Sequence, residues 1–79
     1  PATLRTRVYD YWLDAARRAE RAGDPASAYD HYYSAGWDLG LDQLHGYAEV
    51  LDGLERSATA VGAAGRAKIA ALQRGFLQA

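Results

Sequence analysis

The sequence predicts an all-α fold of four helices arranged as two antiparallel hairpins. Apolar residues recur at three- and four-residue spacing through most of the chain, no stretch carries a strand signal, and glycines fall where one periodic segment stops and the next begins. With 79 residues the chain makes one domain, 1–79, of a size at which a single core is only marginally stable without disulfide, metal or partner. The expected hairpins are 4–40 and 44–79.

The first hairpin turns at Gly23-Asp24-Pro25. Gly suits the position just past a helix end, Asp caps the helix that follows, and Pro fits that helix's first turn. Upstream, Leu4, Val8, Tyr11, Trp12, Ala15, Ala19 and Ala22 form one stripe of an amphipathic helix, with Arg5, Arg7, Asp14, Arg17, Arg18 and Arg21 mostly off it. Its alanines leave little side-chain volume, so a partner helix can approach closely and must supply the bulk. Downstream, Tyr29, Tyr32, Tyr33 and Trp37 supply it, spaced by Ala28, Ala35 and Gly36. Gly36 and Gly40 oppose helix continuity by about 1 kcal/mol each, yet the apolar spacing passes through both. Either the helix continues to Leu44 with its glycines admitting a close neighbour, or it breaks between Leu39 and Gly46; the break is preferred.

A third helix follows from Leu44, Tyr47, Ala48, Leu51, Leu54, Ala58 and Val61, with Gly53 on its polar side and an end at Gly62. Gly62 to Gly65 reads as a short flexible link, and Ile69, Leu72, Phe76 and Leu77 mark a last helix. Short links favour antiparallel neighbours.

Net charge is only -1, but residues 1–23 carry +2, residues 24–55 carry -7 and residues 56–79 carry +4. The plain reading is that basic end helices pack beside the acidic middle; the functional one is that the acidic strip meets a basic partner or the basic ends of a second copy. A slightly acidic chain argues against nucleic-acid binding. The absence of cysteine excludes disulfides and thiolate chemistry and leans toward a cytoplasmic location. No apolar run approaches a membrane span, so no membrane association is expected.

The first hairpin resembles a tetratricopeptide-type repeat over residues 9–42. Counting from Tyr9, Trp12 takes the large aromatic position, Ala16 the small one and Gly23-Asp24 the turn; Ala28, Tyr32 and Ala35 take the small, aromatic and small positions of the second helix. Ala15, Ala19 and Gly40 depart from the pattern, and a second copy from Leu44 fits only at Tyr47, Val50, Leu51 and Leu54. The resemblance implies a scaffold that stacks hairpins and holds a partner on the inner face of its first helices. Transferred to this chain, that face is Asp10, Leu13, Arg17, Glu20 and Arg21. Arg17 and Arg21 could take a carboxylate, or simply pair locally with Asp14 and Glu20. The Lys and Asn of a peptide-carboxylate clamp are missing, since the chain has one Lys and no Asn.

Eight of the nine aromatics lie between Tyr9 and Tyr47, more than so small a core readily holds, and Tyr and Trp dominate interface hot spots. Tyr9, Trp12, Tyr29, Tyr33, Trp37 and Tyr47 are therefore expected at a protein interface, with a second copy as the most economical partner in a homodimer or higher assembly. The alternative is a small metal- or ligand-binding helical protein using His31, Asp38, Asp42, His45, Glu49 and Asp52, whose spacings would share one face of a continuous helix; a solvated acidic face explains the same residues. Ser27, Ser34 and Ser57 lack an oxyanion-hole motif, and no phosphate-cradling loop is present. No cofactor and no enzymatic activity are expected, and the reading is an interaction or assembly module.

Overall fold

The computed structural model describes residues 4–37 and 44–77, and over these the fold is all-α. Helix α1 spans Leu4–Arg21, α2 Pro25–Trp37, α3 Leu44–Ala60 and α4 Ala64–Phe76, with no strand among the described residues. Each helix packs mainly on the next in chain order. The result is a slab of 39 × 33 × 15 Å, its thin dimension about two helices deep because packed axes lie about 8–10 Å apart. Among the described residues no helix is long and apolar enough to cross a membrane.

The first turn forms by the chemistry the sequence predicts. Gly23 takes φ +75°, the Asp24 N–H donates to the Ala19 carbonyl at 3.0 Å, and the Gly23 N–H donates to Glu20 at 3.1 Å. These two hydrogen bonds satisfy carbonyls that the end of α1 would leave open. Asp24 Oδ1 then accepts from the Ser27 N–H at 3.2 Å, capping α2 behind Pro25. The second hairpin repeats the stop without the cap. Gly62 takes φ +79°, and Ala63 donates to the Ala58 carbonyl at 2.8 Å, but Ala63 has no side chain with which to cap α4. The expected flexible link through Gly65 is thus corrected: α4 starts at Ala64 and Gly65 lies inside it.

The core joins Tyr9, Leu13 and Ala16 of α1 to Ala28, Tyr32 and Ala35 of α2 and Val50 of α3, with Trp12, Ala19 and Leu54 packed at its margin. Alanines at the α1/α2 contact let the axes approach, and Tyr32 supplies the volume, as the composition of the two helices implies. The buried stripe of α1 is rotated from the expected one. Tyr9 and Leu13 turn inward while Tyr11 is exposed, because periodicity weighs Ala15 and Ala22 like larger residues whereas burial rewards apolar area. Gly53 is likewise buried, not on a polar side. A Cβ there would lie 2.5 Å from Tyr32 ring carbons, so the Tyr32 ring occupies the space a side chain would need. At Gly36 a Cβ would meet Val50 at 3.1 Å, so α2 and α3 approach closely there as well. The expected break between Leu39 and Gly46 falls mainly on residues 38–43, outside the described residues.

Candidate functional site

Two features lie outside ordinary core packing: a polar seam joining α1 to α3, and an apolar groove between α2 and α4. In the seam, Arg17 bonds to Glu49, and Arg56 grips Glu20 with both ends of its guanidinium, Nε to Oε2 at 3.1 Å and Nη2 to Oε1 at 3.0 Å. The Tyr32 hydroxyl donates to Glu20 and accepts from Arg56 Nη2 at 3.3 Å, so one buried tyrosine joins three helices. Arg56 holds the Glu20 carboxyl below the ordinary carboxylate range, against a smaller opposing effect of burial. Burial, reinforced by Glu20, pushes the Tyr32 hydroxyl up to about 12. Tyr9, whose hydroxyl reaches the Gly46 carbonyl at 3.4 Å, is also raised, by burial first and Glu49 second.

These shifts set a pH window for folding. A depressed carboxyl stabilises above its unfolded value, 4.5 for Glu20, and that contribution is lost as pH falls through the folded value. A raised phenol stabilises below its unfolded value of 10.0, and that contribution is lost as pH rises through about 12. Thermal melting across pH is therefore expected to show a plateau between an acid and an alkaline limb, with Tyr32→Phe flattening the alkaline limb and Glu20→Gln the acid one. Limbs of unchanged slope in both variants would refute the assignment.

The face expected to hold a partner by resemblance is thus largely committed within the chain. Leu13 is 6% exposed and lies in the core, Arg17 is bonded to Glu49, and Glu20 is bonded to Arg56 and Tyr32; Asp10 and Arg21 remain exposed. The carboxylate that Arg17 takes comes from this chain. Across α3 and α4, Arg74 meets Asp52 at 3.1 Å, and within α1 Arg18 meets Asp14 at 3.2 Å. Arg17 and Arg74 tie the basic ends to the acidic middle, as the plain reading of the charge segregation expects.

The groove holds about 330 Å³. Val50, Leu51 and Leu54 of α3 form its floor, Tyr29, Tyr33 and Trp37 of α2 one wall, and Arg66, Ile69 and Gln73 of α4 the other. The Arg66 guanidinium lies 5.4 Å over the Tyr29 ring, closing one end by a cation–π contact. A second hollow of about 240 Å³ continues past Tyr47 to Phe76 and Leu77. Trp37 is 80% exposed and Phe76 78%, and Tyr33, Ile69 and Leu72 are each more than half exposed. Contiguous apolar surface on this scale marks an interaction site more often than an ordinary solvated face.

The six tyrosines and tryptophans expected at an interface divide. Tyr29, Tyr33, Trp37 and Tyr47 line the groove. Tyr9 is buried in the core, which corrects its placement, and Trp12 packs at the core margin between the edge of Tyr11 at 5.1 Å and the stacked His31 ring at 5.4 Å. Sequence reasoning missed the α4 wall as part of this face; the signal was its exposed spacing Ile69, Leu72, Phe76, read only as a helix marker. Of the metal alternative, Asp38, Asp42 and the His45 side chain lie outside what the structure describes, while His31 stacks on Trp12 and Glu49 bonds Arg17. Among the described residues no three metal-ligating side chains come together. Ser57, buried with an Oγ lacking a partner within the described residues, does not line the groove. No family model matches this chain, and no curated protein or solved structure matches it either.

Proposed function

We propose that this chain is a non-catalytic protein-interaction module, two helical hairpins of which the first is tetratricopeptide-like, whose groove between α2 and α4 seats an apolar helical surface of a protein partner. The observation that carries this reading is the groove itself: three helices enclose a trough with an apolar floor and leave Trp37 at its rim, and Phe76 on the adjoining hollow, mostly in water. Rigid aromatics around a preformed apolar trough are the means by which helix-in-groove recognition gains affinity. Two consecutive helical hairpins, each closed by a glycine stop at Gly23 or Gly62 and packed on its neighbour, favour a stacked-hairpin architecture. Burial of Ala16, Ala28, Tyr32 and Ala35 at the repeat's small and aromatic positions favours it too.

Photo-crosslinking in the cells that carry the gene tests this. A benzoylphenylalanine at position 37, in the groove, is expected to form a covalent protein adduct that the same residue at position 21, on the exposed end of α1, does not. No adduct from position 37, or equal adducts from both positions, would refute the groove as the binding site.

A further inference from the structure

Resting on the groove as a protein-binding site, we propose that its occupant is a second copy of this chain. A two-fold axis would lay Ile69, Leu72 and Phe76 of one protomer's α4 against Tyr33 and Trp37 of the other's α2. Three observations carry this beyond a generic apolar face.

The first is the poverty of α4's own packing. Of its thirteen residues only Ala70 is buried, while Ile69, Leu72 and Phe76 form an outward stripe at helical spacing. A helix of that length is marginal alone in water and depends on a covered apolar face. The second is charge. Helix α2 carries Asp30 and no basic residue, with Asp24 at its cap, whereas α4 carries Arg66 and Lys68, besides the Arg74 already paired with Asp52, and no acid. A two-fold contact pairs a patch with itself, so charges within it favour the contact where the two signs lie on opposite sides of the axis. This face does: turning one copy brings its basic α4 beside the partner's acidic α2. A face of one sign would repel its own copy.

The third is scale. Tyr33, Trp37, Ile69, Leu72, Phe76 and Leu77 are all exposed, and large apolar side chains of this kind expose together several hundred Å², on the order of the ~800 Å² per partner that a stable interface buries.

Light scattering on the purified full chain across a concentration series tests the proposal. A dimer is expected, with Trp37→Asp and Phe76→Asp each converting it to a folded monomer; both positions are exposed, so circular dichroism should stay helical. Asp30→Lys is expected to weaken the dimer at least about tenfold through like-charge contact with the partner's α4, and adding Lys68→Glu in the same chain to restore it. A chain that stays monomeric, or a dimer that both aspartate variants leave intact, overturns the proposal. A monomer whose residue 37 crosslinks to a different protein overturns the second copy and leaves the groove reading standing; a monomer with no crosslink overturns both.

Discussion

Gly53→Ala is expected to destabilise the protein by about 2 kcal/mol, although alanine is the better helix former by about 1 kcal/mol. The added methyl would lie 2.5 Å from Cε1 and Cζ of Tyr32. That ring cannot move aside, because it is 1% exposed and its hydroxyl is bound by Glu20 and Arg56. Overpacking of a fixed core costs about 1–3 kcal/mol or more, and a clash with several ring atoms belongs at the upper end, so sterics outweigh propensity. In a domain of this size the loss corresponds to about 10 °C in Tm. Gly75→Ala is the matched control: nothing lies within 4 Å of its Cβ, so propensity alone should act and raise stability by up to about 1 kcal/mol. Melting of Gly53→Ala at or above the parent temperature would refute the close approach of α3 to Tyr32.

Tyr32→Ala should be costlier still. Removing a buried aromatic costs about 3–5 kcal/mol, and a small single domain has only about 5–15 kcal/mol in total, so a substantial unfolded fraction is expected before denaturant is added. Tyr32→Phe keeps the ring and the Arg56–Glu20 pair, and should lose only about 1 kcal/mol for the hydroxyl's hydrogen bonds. Urea titration of both variants separates packing from polar contributions. Because the residues compete for one space, Tyr32→Leu combined with Gly53→Ala should be more stable than the sum of the single effects requires. Strict additivity would show that they do not share that space.

What was legible in the sequence was what local chemistry decides. Gly23, Asp24 and Pro25 specify a helix stop, cap and start within three residues, and each acts as its chemistry dictates. Helix existence and the small-aromatic-small pattern of α2 were legible for the same reason. The orientation of α1 was not, because Tyr9, Tyr11, Trp12 and Leu13 are consecutive or nearly so and cover much of the helix circumference; only the position of α2 and α3 selects Tyr9 and Leu13 for burial. The burial of Gly53 was hidden likewise, since a glycine among polar neighbours reads as exposed until the Tyr32 ring is placed beside it. The Glu20, Tyr32 and Arg56 seam joins residues up to 36 positions apart, and nothing local pairs them. The groove was half legible: surplus tyrosine and tryptophan signalled more aromatic surface than the core would hold, but which of them line the groove depends on tertiary packing.

The order in which the helices pack sets how the chain finds its fold. Because each helix docks chiefly on its neighbour in sequence, the loops to be closed are short and their entropic cost is small, which places such topologies in the microsecond-to-millisecond range. Tyr32 cannot enter its slot until α2 and α3 meet at Gly53, so that encounter is the step at which local hairpins become one cooperative unit. Helix α4, with only Ala70 buried among its thirteen residues, packs on α3 as the last element of this series and is expected to open before the core of α1, α2 and α3.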